Sequence, residues 1–235
     1  KEVYKRHINN YSNHWWFQAR KKIIETIIKK NILKKNINIL DFGSGSGVNI
    51  NMLSKYGHVN IYEPHLLTRN YLRKKFNSKK YSVIKKYTKK KFDLILLADV
   101  LEHIKNDKKI IQSLSKNLKN NGLILITVPA YKILFSKKDL ILGHHRRYSK
   151  TEILNLFRHF KTVRLTFFNS ILFFPISFII LFFKFLKIDF IEKVEKSPNK
   201  IVNFILFKIF TIEKRLINHC NLPFGISMLG LFQKK

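Results

Sequence analysis

The fold of this 235-residue chain is decided by the stretch Asp41-Phe42-Gly43-Ser44-Gly45-Ser46-Gly47. The apolar run over residues 37–42 predicts a buried strand, and the glycines end that strand in a tight turn. Because Gly43, Gly45 and Gly47 carry no side chains, the backbone there can approach a ligand closely. The start of a following helix would offer free N–H groups to the same ligand. The stretch therefore predicts a strand, a ligand-binding turn and a helix in succession.

Outward from this turn, short apolar runs alternate with amphipathic segments. The apolar runs predict strands at residues 37–42, 59–63, 81–84, 92–98, 122–128, 161–168 and 225–235. Apolar residues at helical spacing predict helices at residues 16–33, 48–56, 66–76 and 108–118. This alternation is typical of an α/β fold, a Rossmann-like, seven-stranded, mostly parallel sheet with helices on both faces. Ligands of such sheets bind at the carboxyl ends of the strands.

Two acidic residues flank the predicted ligand turn. Asp41 comes directly before the first glycine, and Glu63 closes the next predicted strand. Asp41 would repel a pyrophosphate but attract S-adenosylmethionine, which carries a sulfonium and an ammonium group. Glu63 follows Gly43 by about twenty residues, where an acid can accept hydrogen bonds from both ribose hydroxyls. The two acids favour S-adenosylmethionine as the cofactor, and an ordinary tight turn with a strand-end acid is the alternative.

Four motifs together resemble a known superfamily. They are the glycine stretch at residues 41–47, Ile-Tyr-Glu-Pro at 61–64, the run that ends in Asp-Val-Leu-Glu-His at 92–103, and residues 118–124. This set is similar to the class I S-adenosylmethionine-dependent methyltransferases. Within that superfamily, the motifs are most like those of the ubiquinone-biosynthesis O-methyltransferases and of bacterial methyltransferases of unassigned substrate. The resemblance covers roughly residues 15–129 and returns in the last strand, and it implies the fold and the cofactor rather than the substrate.

The resemblance implies a shell of residues around the cofactor. Arg20 follows a Trp-Trp pair and would hold the methionine carboxylate by a forked, charge-assisted contact. Glu63 would bind the ribose. Near Tyr87 and Thr88 the chain lacks the acid that many members direct at the adenine amino group, so that contact stays unassigned. The predicted cofactor-binding residues are Arg20, Asp41, Gly43, Ser44, Gly45, Gly47, Glu63, Ala98 and Asp99.

Three histidines are the candidate catalytic residues. Methyl transfer from a sulfonium depends mostly on alignment, and a base helps only where the acceptor must lose a proton. Histidine changes its charge near neutral pH, which favours His103, His144 and His145 for that role. His103 could instead only cap a strand-to-helix junction. Glu102 and the histidines could coordinate a divalent ion, but no dedicated ligand spacing is visible and no metal is predicted.

The charge of the chain invites a second interpretation. Lys and Arg number 46 against 14 Asp and Glu, a formal net charge of +32 that attracts polyanions. A lysine-rich solvated surface and an anionic membrane surface are the alternatives. The fourth strand ends in Asp-Val-Leu-Glu at residues 99–102, rather than in the Asn/Asp-Pro-Pro-aromatic signature of enzymes that methylate base amino groups. A nucleic-acid partner is therefore not expected.

The expected organisation is one methyltransferase domain over residues 1–235, with an N-terminal cap helix region at 1–34 and a hydrophobic helical insertion at 169–224 between strands six and seven. Residues 169–183 carry no charge. Because the final strand returns to the sheet, we expect this insertion to form a helical hairpin. It would dip into one leaflet of a membrane or lie on it through residues 169–212, rather than cross it. A hydrophobic cap on the domain or a dimer interface is the alternative.

Compartment and function follow from the same observations. The single cysteine, Cys220, excludes an internal disulfide, and no leader precedes Trp15, so we expect a cytoplasmic protein, peripheral on the inner face of the cell membrane. The leading hypothesis is methyl transfer to an oxygen of a small-molecule or lipid-linked acceptor. An RNA methyltransferase and a non-catalytic lipid- or protein-binding domain are the alternatives.

Overall fold

The computed structural model describes residues 14–88, 90–186 and 198–235. Within them, seven strands form one sheet in the order β3-β2-β1-β4-β5-β7-β6. The strands are β1 (Ile37–Phe42), β2 (Gly57–Tyr62), β3 (Tyr81–Ile84), β4 (Phe92–Ala98), β5 (Leu118–Pro129), β6 (Phe160–Phe168) and β7 (Ser227–Lys234). Strands β1 to β5 pair in parallel, and β7 runs antiparallel to both of its neighbours. The predicted seven-stranded, mostly parallel sheet is confirmed.

Helices cover both faces of this sheet. They are α1 (Trp15–Asn31), α2 (Ile50–Leu53), α3 (Leu66–Lys75), α4 (Asp107–Lys116), α5 (Lys137–Ile141), α6 (Lys150–Leu156), α7 (Phe173–Phe185) and α8 (Lys200–His219). Strand residues alternate between two apolar cores, so that Leu94 and Leu96 of β4 join one and Ile95 and Leu97 the other. The first core also contains side chains of α1, α2, α3 and α8, and the second contains those of α4 and α6. An apolar core packed against helices therefore lies on each face of the sheet.

Helix α1 is held to the first core by a stripe of isoleucines. Ile23, Ile24, Ile27 and Ile28 are fully or almost fully buried, at the spacing that places residues on one helix face. His14 begins the helix, because its ring nitrogen accepts a hydrogen bond from the backbone of Trp16. Arg20 lies one turn before Ile24 on the same face and is also buried. It places a charged group at the carboxyl end of the sheet.

Two predicted elements differ most from their predicted bounds. The helix expected at residues 48–56 is only the single turn α2, because Gly47 holds a left-handed conformation and residues 54–56 form the turn that leads into β2. A side chain at Gly57 would collide with the backbone of Ile37 in β1, so this glycine permits the early start of the pairing. Strand β5 begins at Leu118 rather than at Gly122, since Leu118 pairs with Phe92 before a stretch of exposed polar residues.

The apolar segment after β6 folds into α7 and the longer α8. Helix α8 packs against α1, where the Asn203 side chain accepts a hydrogen bond from the backbone of Trp15 at 2.8 Å. Its Glu213 is buried and accepts a hydrogen bond from the backbone of Ile171 at 2.8 Å. Among the residues described, no helix combines the length and apolarity needed to cross a bilayer.

Candidate active site

The glycine turn between β1 and α2 is pinned to the end of β2. The backbone N–H groups of Gly43 and Ser44 donate to the carbonyl of Tyr62, at 2.8 and 3.2 Å. Gly43 has a φ of +74°, and a Cβ there would approach Val100 to 2.8 Å. Gly45 also has a positive φ, but a Cβ on it would meet nothing within 4 Å. The turn is thus packed on one side and open at Gly45.

Glu63 fixes the open side of the turn. One carboxylate oxygen accepts a hydrogen bond from the backbone N–H of Gly45, and the other accepts from that of His65, both at 2.9 Å. The residue is only 7% exposed. Each oxygen keeps a lone pair beyond these bonds, so the carboxylate could also accept from the hydroxyls of a bound sugar.

Asp41 lies below the turn, at the end of β1. It is 2% exposed, and its Oδ2 has no hydrogen-bond partner within the described part of the chain. Burial raises the pKa of Asp41 to about 7, and the negative charge of Glu63 adds to the rise. The hydroxyl of Ser44 and the guanidinium of Arg20 oppose it. A buried carboxyl group without a full set of partners has the character of a binding site for a cation.

Arg20 crosses from α1 to the end of β4, where its guanidinium forms an ion pair with the carboxylate of Asp99. Thr127 of β5 donates to the other oxygen of Asp99 at 2.6 Å. Asp99 has a φ of +54°, and it follows Ala98, the last residue of β4. The Nε of Arg20 is buried and has no partner among the described residues. Asp99 therefore holds one edge of the guanidinium and leaves another edge free.

The structure thus brings Arg20, Asp41, Glu63 and Asp99 together at the carboxyl ends of β1, β2 and β4. The cluster contains three carboxyl groups and one guanidinium, so it favours a ligand with positive charge. The unpartnered atoms on Asp41 and Arg20 would be satisfied by a ligand that carries both an ammonium and a carboxylate group. These residues fit the methionine portion of S-adenosylmethionine.

A second cluster lies beyond Asp99. The rings of His103 and His144 meet edge to face with centroids 4.7 Å apart, and Glu102 lies beside them, fully buried. Burial lowers the pKa of His103, and the neighbouring His144 adds to this effect. Burial raises the pKa of Glu102 well above its usual range, and the charge of Asp99 contributes. His145 is set apart, since its side chain is exposed and its backbone N–H donates to the carbonyl of Glu102.

Asp139 orients the ring of His144. The His144 Nδ1 donates to an oxygen of Asp139 at 2.8 Å, which leaves the other ring nitrogen free of that bond. Arg147 donates from Nε to both oxygens of Asp139, at 3.0 and 3.1 Å. Burial alone would raise the pKa of Asp139, but the bonds from His144 and Arg147 bring it down to about 2. The carboxylate is therefore a fixed, charged partner for the histidine.

The sequence did not predict the roles of Thr127 and Asp139, or that Glu102 is fully buried. Thr127 is the one polar residue within an apolar stretch of β5, and Ser136 with Asp139 forms a capping box at the start of α5. These two sequence patterns could have identified Thr127 and Asp139. Ligand atoms of Glu102, His103 and His144 lie within 4.8 Å of one another, a group that could hold a metal ion although no sequence spacing predicted it.

Comparisons with known proteins bear on the family and the fold. Residues 13–170 match the family model described as a methyltransferase domain. The ubiquinone biosynthesis O-methyltransferase of Pelagibacter ubique (strain HTCC1062) is 31% identical over 119 residues, which cover 42% of this chain and 49% of that protein. The match thus spans about half the length of the curated relative.

Two solved structures have the same fold. Plantazolicin methyltransferase BpumL in complex with SAH superposes with a TM-score of 0.61 and 14% identity, over 100% of this chain and 90% of that chain. N-methyltransferase NodS from Bradyrhizobium japonicum WM9, in complex with S-adenosyl-l-homocysteine, superposes with a TM-score of 0.55 and 12% identity, over 93% and 87%. With the family match, these folds confirm the resemblance that the motifs indicated. The chain belongs to the methyltransferase domain family, within the class I superfamily of S-adenosylmethionine-dependent methyltransferases.

Proposed function

We propose that this chain transfers the methyl group of S-adenosylmethionine to an oxygen of a lipid-linked or otherwise amphiphilic acceptor at a membrane surface. The observation that carries the proposal is an exposed aromatic face on α7. It lies next to the end of the sheet that carries the cofactor cluster, which consists of Arg20, Asp41, Glu63 and Asp99. The name of the Pelagibacter relative, an O-methyltransferase, supports oxygen as the methylated atom.

The aromatic face consists of Phe174, Phe178, Phe182 and Phe185. These side chains are 65%, 68%, 46% and 82% exposed, and their spacing puts them in one stripe along α7. Soluble surfaces rarely carry such a contiguous apolar stripe without a partner. Each phenylalanine that leaves water on binding contributes up to about 1.5–3 kcal/mol. The face therefore has enough apolar area to bind the interface of a bilayer.

The aromatic face is close to the cofactor end of the sheet. Tyr131 follows β5 at its carboxyl end, and its ring contacts that of Phe173, at the start of α7, with centroids 5.3 Å apart. Lys184 of α7 donates to the carbonyl of Ile133, in the turn that follows Tyr131. An acceptor with a polar head and an apolar tail could therefore reach the cofactor while its tail stays in the lipid.

Charge favours an anionic lipid surface. Lys184 is the only charged residue between residues 170 and 186, and the chain as a whole has a formal charge of +32. Lysines beside an apolar face bind anionic headgroups while the apolar side chains enter the lipid.

The residues of the site have separable tasks in this reaction. S-adenosylmethionine supplies a methyl group on a sulfonium, which is a good leaving group. Glu63, Asp41 and Arg20 bind and orient the cofactor, so that alignment lowers the barrier. His144, oriented by Asp139, accepts the proton of an acceptor hydroxyl at its free ring nitrogen.

Vesicle binding tests the membrane part of the proposal. We expect the protein to sediment at low salt with vesicles of equal parts phosphatidylglycerol and phosphatidylcholine. The variant F178S/F185S should bind at least about tenfold more weakly, because two side chains no longer leave water. The matched control is L33S, since Leu33 is 88% exposed beyond the far end of α1. Equal sedimentation of wild type and F178S/F185S, with both folded by circular dichroism, would contradict the proposal.

Methyl labelling tests the acceptor. Extracts of cells with and without the protein receive S-adenosylmethionine labelled in its methyl group, and the lipid, metabolite and RNA fractions are then counted. We expect protein-dependent label in the lipid fraction that resists mild acid, as a methyl ether does. Label in RNA alone would instead support the RNA methyltransferase hypothesis.

A further inference from the structure

A basic groove lies between the C-terminal halves of α1 and α8, away from the residues of the proposed active site. It has a volume of about 590 Å³ and is lined by Thr26, Lys29, Lys30, Lys214, Arg215, Asn218 and His219. Ligand pockets for small molecules span about 300–1,000 Å³, so the groove has room for one. On each helix the lining residues are either adjacent or three to five positions apart, so they lie on one side of that helix.

The two helices run in the same direction, and both end at this groove. Trp15 contacts Asn203 near their starts, and the Lys30 Nζ donates to the carbonyl of Asn218 at 2.6 Å near their ends. A helix C-terminus carries about −0.5 of a charge, so the two ends together supply about −1. Lys29, Lys30, Lys214 and Arg215 supply four positive charges at the same place. Neutralising the helix ends therefore accounts for only part of the basic charge in the groove.

The acids that the structure describes nearby do not balance this surplus. Among the described residues, no acid lines the groove. Glu25 is the acid close enough for the charge of Lys214 to lower its pKa, but its carboxylate is already bound by Lys55 at 2.7 Å. Glu213 directly precedes Lys214, yet its side chain is buried and bonded to the backbone of Ile171. A concave surface with several unbalanced cations is suited to a ligand with several negative charges.

The position of the groove separates it from the cofactor. Arg20, near the start of α1, reaches Asp99 at the carboxyl end of β4, whereas the end of α1 leads into the first residue of β1. Lys29 and Lys30 therefore lie toward the amino ends of the strands. This end of the sheet is opposite to the one that carries the cofactor cluster and adjoins the aromatic face.

We propose that the groove binds a small soluble anion of the phosphate class that carries two or more negative charges, as inorganic pyrophosphate does. The lysine ammonium groups and the Arg215 guanidinium would contact the phosphate oxygens. Thr26 and the Asn218 side chain offer neutral donors beside them. The site is independent of the methyl acceptor, and it gives the enzyme a second ligand at a distance from the first.

Calorimetric titration of the full chain with inorganic pyrophosphate tests this site. We expect saturable binding at one site, and K29Q/K214Q should weaken the affinity at least tenfold. The control is K108Q/K109Q, two exposed lysines at the start of α4 on the other face of the sheet, which should change the affinity less than twofold. Thermal unfolding of each variant establishes that it is folded.

Three outcomes would overturn the site. Pyrophosphate could bind without saturation, or K108Q/K109Q could weaken binding as much as K29Q/K214Q does, which would mean that overall charge is responsible. In the third outcome, the variant K29Q/K214Q would no longer bind vesicles that contain phosphatidic acid, while its affinity for pyrophosphate would stay unchanged. That result would assign the groove to lipid headgroups instead. None of these results depends on methyltransferase activity.

Discussion

At the residue scale, we expect Asp41 to couple cofactor binding to pH. Burial holds the pKa of its carboxyl group near 7, above the ordinary value of 3.8. A positively charged cofactor favours the ionised carboxylate, so binding below this pKa releases a proton. We expect the affinity for S-adenosylmethionine to rise between about pH 5 and about pH 8. Calorimetry in two buffers of different ionisation enthalpy measures the released proton directly.

The raised pKa of Asp41 makes stability fall with rising pH, whereas it makes cofactor affinity rise. Because the folded state keeps the proton of Asp41 at a pH where the unfolded state has lost it, its contribution to stability falls as pH rises from about 4 to about 7. D41N removes this contribution and should flatten the pH dependence of both binding and stability. Identical pH profiles for wild type and D41N would show that another group titrates.

Glu63 gives a second prediction at this scale. E63A should weaken binding of S-adenosylmethionine by about 1–3 kcal/mol, since a charged acceptor loses its hydrogen bonds to the ligand. It also frees the N–H of Gly45, which Glu63 now holds. Calorimetry measures the affinity, and E25A, which removes only the partner of Lys55, is the control. Unchanged affinity in E63A would mean that another group binds the ribose.

The sequence predicted which residues would lie together beside the glycine turn better than it predicted their contacts. Asp41 and Glu63 are next to their strands in sequence, so strand position alone located them. The ion pair between Arg20 and Asp99 joins residues 79 positions apart and depends on how α1 packs on the sheet. Asp139 meets His144 five residues later, in the turn that ends α5, and only its capping box with Ser136 marked it in the sequence.

At the scale of elements, the isoleucine stripe of α1 anchors the helix that carries Arg20. Ile27 is fully buried in the first core. I27A should lower the free energy of unfolding by about 2–5 kcal/mol, because it removes apolar contacts and leaves a cavity. Urea denaturation measures the change. L33A, at an 88% exposed position, should stay close to wild type, and equal losses in both variants would contradict this packing.

Strong periodicity explains which elements could be predicted. Strands β1, β3 and β4 have the predicted bounds, because each is a short apolar run with clear ends. The helix after the glycine turn was predicted too long, since apolar spacing continues through residues 54–56, which form the turn before β2. In β5 the polar residues after Leu118 concealed pairing that depends on β4.

At the scale of the whole molecule, charge repulsion should govern the response to salt. The chain carries 46 Lys and Arg against 14 Asp and Glu. Salt screens repulsion among these cations, so we expect Tm to rise as NaCl increases from about 0.05 to about 0.5 M. Differential scanning calorimetry measures Tm, and the same series with sucrose separates screening from solvent exclusion. A Tm that falls with NaCl would mean that attractive ion pairs dominate.

The order of the strands in the sheet also differs from their order in the chain. Strand β7 lies between β5 and β6, although the ribosome makes it after both. Until residues 227–234 emerge, the facing edges of β5 and β6 have no neighbour, and the nascent chain exposes two open edges that can pair with other molecules. Completion of the sheet, and with it the two apolar cores to which β7 contributes, must therefore wait for the synthesis of its seventh strand.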